Sequence, residues 1–127
     1  MRYLMLAYTN AEAWEDAAAN WNPGAPMPPE VAQACEFYEQ LGKELTASGE
    51  FVTTEGLEVP SHTKTIRRTP NGPEVTDGPY AEVKEVLASY AIVDCESYDR
   101  AQQIGARIAD ATGDTIEIRP IAAGFGS

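Results

Sequence analysis

The segment VTDGPYAEVKE, Val75 to Glu85, gathers within eleven residues several side chains with which this chain could do acid–base chemistry: Asp77, Glu82 and Glu85, with Lys84 and Tyr80 between them. A carboxylate set in a cavity and raised in pKa can give or take a proton, and neighbouring phenol and ammonium groups can hold a ligand. The same residues have plainer uses. Asp77-Gly78-Pro79 is a turn by its chemistry: Asp accepts from backbone N–H groups ahead of it, Gly takes unusual φ, and Pro presets a helical φ. Asp77 is therefore either a catalytic carboxylate or the cap of its own turn. The spacing predicts one or two helical turns over YAEVKE, with Glu82 and Glu85 on one face. Those two bind a ligand or form ion pairs, and Lys84 pairs with a carboxylate from another element or contacts the ligand.

Three further side chains belong with this set. His62 is the only histidine and stands at the start of HTKTIRR. Histidine is the side chain that changes charge near neutrality, so His62 is a candidate acid–base group as well as a plain exposed loop residue. Arg67 and Arg119 lie on segments that end near Asp77 in the expected order. Either could neutralise Asp77 or Glu82, and an Arg inside a cavity could receive a substrate carboxylate.

The elements that must position these groups are legible from periodicity. RYLMLAY, residues 2–8, is a continuous apolar run and reads as a buried strand. A short helix with Trp14 follows, and then WNPGAPMPP, with four prolines and a glycine in nine residues, must be a loop. From Glu30 to Ser48, Val31, Ala34, Tyr38, Leu41 and Leu45 form one helical stripe facing a core, stopped by Gly49. A short strand near Phe51 leads to the TKTIRR strand. Asn71-Gly72 marks a hairpin turn, since both residues tolerate positive φ. ASYAIVD is another buried strand. SYDRAQQIGARIAD repeats the helical stripe, with Ser97 as N-cap and Gly113 as stop. TIEIRPI alternates as a half-exposed strand. The economical arrangement is α+β: a β-α-β-β-α-β chain with an extra hairpin, both long helices on one sheet face. A second copy of the sheet is the natural cover for the other face, giving a symmetric homodimer.

Bulk properties narrow the function classes. With 127 residues, 43% of them hydrophobic, the chain fits one domain over residues 1–127. A net charge of -11 argues against nucleic acid and against an anionic membrane surface. Lys64, Arg67 and Arg68 are the only basic cluster, which is a poor patch among 20 acidic residues. The longest apolar runs fall short of a membrane span, and the first ten residues turn polar too soon for a signal peptide. Cys35 and Cys95 lack metal spacing and read as reduced thiols of a cytoplasmic protein. One His and two distant Cys make no zinc site, although the carboxylate count leaves an oxygen-ligand magnesium or calcium site open. Phosphate-cradling glycine motifs and the serine-hydrolase elbow are missing. The residues thus indicate neither a metal nor a cofactor.

TDGPYAEVKE closely resembles the DGPF signature, an Asp-Gly-Pro-aromatic-Ala-Glu-x-Lys-Glu string, with Tyr80 in place of the usual Phe. RYLMLAY, TIRR, YAIVD, the second long helix and IEIRPI also fall in the order expected of the YCII-related, DGPF-type family, so the resemblance covers nearly the whole chain. It implies a ferredoxin-like protomer whose sheet packs on that of a second copy, a dimeric α/β barrel, with Tyr80 as a core anchor behind the turn. The larger superfamily includes isomerases, monooxygenases and heme enzymes. Some DGPF members are encoded near, or fused to, extracytoplasmic-function sigma factors. YCII-like relatives have a proposed His–Asp pair whose His is associated with the first helix. The Glu30–Ser48 helix here contains no His, so that pair does not carry over intact.

Two functions follow as expectations. In one, a small organic molecule is bound or transformed in a pocket near Asp77, Tyr80 and Glu82, with Arg67 and Lys84 as further ligand contacts and Asp77, Glu82 and His62 as catalytic candidates. In the other, the chain is a non-catalytic interaction module tied to transcription regulation. The first predicts a cavity beside the signature, the second saturated carboxylates and an exposed apolar patch.

Overall fold

Within Arg2–Asn10, alternate residues are buried: Tyr3, Met5 and Ala7 point one way and Leu4, Leu6 and Tyr8 the other. That period of two fixes which sheet face meets the helices. The computed structural model describes residues 1–123. Its elements are β1 (Arg2–Asn10), α1 (Ala11–Ala19), α2 (Pro29–Ser48), β2 (Phe51–Gly56), a one-turn 3-10 helix (Pro60–His62), β3 (Lys64–Thr69), β4 (Gly72–Asp77), β5 (Glu85–Asp94), α3 (Tyr98–Thr112) and β6 (Thr115–Pro120). The main sheet runs β2-β5-β1-β6, every neighbouring pair antiparallel, and β3-β4 forms a separate hairpin between β2 and β5. The architecture is α+β and consistent with a ferredoxin-like fold.

The core lies between the sheet and α2 and α3. Tyr3, Met5 and Val93 from the strands meet Leu41 and Leu45 of α2 and Ala101, Ile104 and Ile108 of α3. Helix ends follow the sequence signals. Asn10 and Ser97 accept backbone N–H bonds from Ala13 and Arg100, and Gly49 and Gly113 close α2 and α3 at φ 81° and 77°. The junction of α2 and β2 is clamped to α3 by Glu50, which accepts two bonds from Arg100 at 2.8 and 3.0 Å and one from Ser48 at 2.7 Å. These bonds, the Arg100 pair foremost, hold the Glu50 carboxyl down at about 2.

Three expectations are corrected. The α2 stripe buries only Leu41 and Leu45, while Val31 and Tyr38 are exposed. Leu41 and Leu45 lie in the second half of α2, which is the half that joins the core, whereas Val31 and Tyr38 precede it. In the hairpin turn, only Gly72 takes positive φ (104°), because Pro70 and Asn71 keep negative values. No helix forms over YAEVKE, which stays irregular until β5 begins at Glu85. Six residues supply too few hydrogen bonds to offset helix nucleation. The segment's ends are also committed elsewhere: Gly78 N–H donates to Thr63 O and Lys84 O accepts from Ala11 N–H, both at 2.8 Å.

Candidate functional site

The first of those bonds sets the signature segment, Gly78 to Lys84, against a second irregular stretch, Leu57 to Thr63, and the other ties its far end to the start of α1. Leu57 N–H donates to Ala88 O at 2.9 Å, anchoring the start of that stretch to β5. Glu15 of α1 accepts from the backbone N–H and hydroxyl of Ser61 at 2.8 and 3.2 Å, anchoring its middle. Thr63 O receives Gly78 N–H, and Thr65 Oγ1 donates to Gly78 O at 2.8 Å, tying its end to the signature turn. Gly78 has φ 93°, a conformation that favours glycine, which is why the turn can close here.

Between the two stretches lies a cleft of about 510 Å³, within the range of small-molecule sites. Leu57, Val59, Pro79 and Val86 give it apolar walls, and Tyr8, Glu85, Glu58 and His62 supply polar groups. His62 Nδ1 lies 2.7 Å from Glu58 Oε1. An ionised carboxylate only accepts, so this contact assigns the proton to Nδ1 and leaves Nε2 as the basic nitrogen. Glu85 accepts from the Thr115 hydroxyl at 3.1 and 3.3 Å. Burial, and then the bond it donates to Glu117 at 3.1 Å, push the Tyr8 phenol above its ordinary range and keep it a hydrogen-bond donor.

The residues expected from the sequence are divided by the structure. Asp77 pairs with Lys64 across the base of the hairpin and does not line the cleft. Glu82 and Lys84 face a second hollow of about 740 Å³ beside Glu12 and Glu15, and Lys84 has no ion-pair partner among the described residues. Tyr80 is not a core anchor. It is 73% exposed, with the Arg67 guanidinium 5.2 Å above its ring, and it forms part of the cleft wall. An aromatic after Gly-Pro in a segment held only at its two ends has no core to enter. Arg119 stands opposite Leu4 on the sheet face away from the helices. His62 is brought into the cleft, and its partner Glu58 was missed. The Glu58-x-x-x-His62 spacing was the available signal, since residues four apart can meet in a helical turn. Cys95 is no nucleophile: burial first, and the neighbouring Glu50 after it, push its thiol up to about 11.

Among the described residues, no three His, Cys, Asp or Glu side chains converge to hold a metal ion, and no helix is long and apolar enough to cross a membrane. Comparison with known protein families matches residues 1–123 to the YCII-related domain. The chain belongs to the YCII-related family. This YCII-related chain is also similar to an uncharacterized protein of Rhizobium meliloti (strain 1021), with 37% identity over 60 residues. The matched stretch is 46% of this chain and 48% of the relative, so the chain spans about half the length of the protein it matches. That relative's name carries no activity.

Proposed function

We propose that this YCII-related protein binds and transforms a small organic molecule in the cleft between residues 57–63 and 78–87. His62 is the acid–base group in this reading, and Glu58 orients it. The observation that carries the reading is the 2.7 Å His62–Glu58 contact at the wall of a 510 Å³ cleft built by the signature segment. Carboxylate-oriented imidazole is a general base for a proton on a bound substrate. Asp77 and Lys64 hold the hairpin base in this scheme, Tyr80 contacts the ligand, and Glu82 and Lys84 lie outside the cleft. The reaction draws on no metal or cofactor.

The active unit we propose is a homodimer in the cytoplasm, paired through the sheet face that carries Leu4, Leu6, Tyr90 and Ile92, with Cys35 and Cys95 reduced. A second reading, an interaction module acting in transcription regulation, is favoured by Ile66 and Val75, opposite each other on the hairpin and 67% and 60% exposed.

The two readings separate in one titration. His62 is the only histidine, so its imidazole signals in the NMR spectrum need no assignment. Compounds from a fragment library should shift those signals together with the Leu57 and Val86 methyls, and His62→Gln and Glu58→Gln should abolish any turnover while leaving the fold intact. Hits that leave the imidazole unmoved would speak for the module.

A further inference from the structure

We infer that the ligand of this cleft is a small organic acid, with its apolar body against Leu57, Val59 and Val86 and its carboxylate held by Arg67 on the far edge of Tyr80. The inference rests on the cleft reading above and names its substrate class.

Arg67 is one of several cationic side chains without a carboxylate partner among the described residues, and it is the one set against an aromatic ring. Glu74 stands directly opposite it on β4, yet Arg67 pairs with no carboxylate among the described residues of a chain that carries 20 acidic ones. Its guanidinium lies over the Tyr80 ring instead, 5.2 Å from the centroid. A guanidinium stacked on a ring keeps its N–H edge free, and that edge matches a carboxylate in two parallel bonds. Arg68, the next residue, likewise has no carboxylate partner among the described residues.

Tyr80 is the shared wall. On one side is the cleft with His62, and on the other a hollow of about 320 Å³ lined by Arg67, Arg68, Thr65 and Thr76. The three threonine hydroxyls of the hollow are already donated, Thr65 to Gly78 O, Thr69 to Gly72 O and Thr76 to Thr65 O, so the two arginines and the Tyr80 hydroxyl are the donors left there, against Glu74 as its one acid. The cleft itself holds acidic groups, Glu58 and Glu85, and so repels a carboxylate at the His62 end. A ligand with one anionic end therefore has one orientation: carboxylate over the ring edge at Arg67, apolar body inward, and its remaining polar atoms toward His62.

The test compares acids with their neutral amides. Phenylacetate and 3-phenylpropionate, with phenylacetamide and 3-phenylpropionamide as controls, would be titrated into the labelled full-length protein while NMR signals of His62, Leu57, Val86 and the Arg67 side chain are followed. The acids should bind about tenfold more tightly than the amides, the strength of a charged hydrogen-bonded contact. Arg67→Gln should remove that difference while changing amide binding less than about twofold, and added salt should narrow it. Acids and amides binding equally at Leu57 and Val86 would overturn the carboxylate assignment and leave the cleft standing. No movement at these signals with any of the four compounds would overturn both.

Discussion

In the proposed reading His62 is oriented by Glu58, four residues earlier, and neither residue is informative alone. A single histidine after Pro60-Ser61 reads as a loop residue; only the one-turn helix at Pro60–His62, and the carboxylate just before it, show that it is oriented. Asp77, the most prominent acidic residue by motif, went the other way: it is engaged by Lys64 at the base of the hairpin, whereas Glu85 of the same signature lines the cleft. A motif records which residues recur together without separating those that shape a turn from those that face a ligand. Glu50 illustrates a structural carboxylate whose role can be measured. Its folded pKa is lowered from 4.5 to about 2, so its stabilising contribution is fully present above pH 4.5 and is lost as the pH falls toward 2. With the side chain 14% exposed, Glu50→Gln should cost about 2 kcal/mol at pH 7, as for a hydrogen bond between charged groups. The substitution should also flatten the acid limb of the stability curve over that window. Urea unfolding between pH 2 and 7 measures both, and an acid limb unchanged in slope would contradict the assignment.

At the scale of elements, caps and periodicity were the most legible features, because they depend on residues close in sequence. Ser97, Gly49 and Gly113 act at the ends where their chemistry places them. The YAEVKE segment failed as a helix because its course is decided by distant partners: Thr63 and Ala11 tie down its two ends. Long-range contacts of this kind build the cleft, and no local pattern announces them. The contact of α3 with β6 depends on a missing side chain. A Cβ at Gly105 would stand 2.7 Å from Ile118 Cδ1. Gly105→Val should therefore destabilise the protein by about 2 kcal/mol through overpacking. Ile118→Val in the same chain should recover part of that loss, as contacting residues do in a double-mutant cycle. Thermal unfolding of the four proteins is the measurement, and strict additivity would show that the two side chains do not meet.

For the whole molecule, the alternation in β1 made two sheet faces legible, and the structure shows what covers one of them. Leu4, Leu6, Tyr90 and Ile92 lie half-buried on the face away from the helices, flanked by Glu55, Glu117 and Arg119. An apolar stripe with a charged border suits a two-fold interface, in which a residue meets its own copy or a near neighbour. The protein should elute at twice its chain mass in light-scattering chromatography. Leu6→Arg, which sets two like charges into that interface, should yield monomer with the helical signal retained. A dimer unaffected by Leu6→Arg would place the interface elsewhere.

The central claim is that function resides in the cleft between the Leu57–Thr63 stretch and the signature segment. Crystals of the protein soaked with a diverse small-molecule fragment library test it most directly. The account predicts that bound fragments concentrate between Val59, Pro79 and Val86, with polar atoms in hydrogen-bond reach of His62. Fragments that instead collect in the apolar cavity between α2 and the sheet, or on the Leu4–Ile92 face, with this cleft empty, would contradict it.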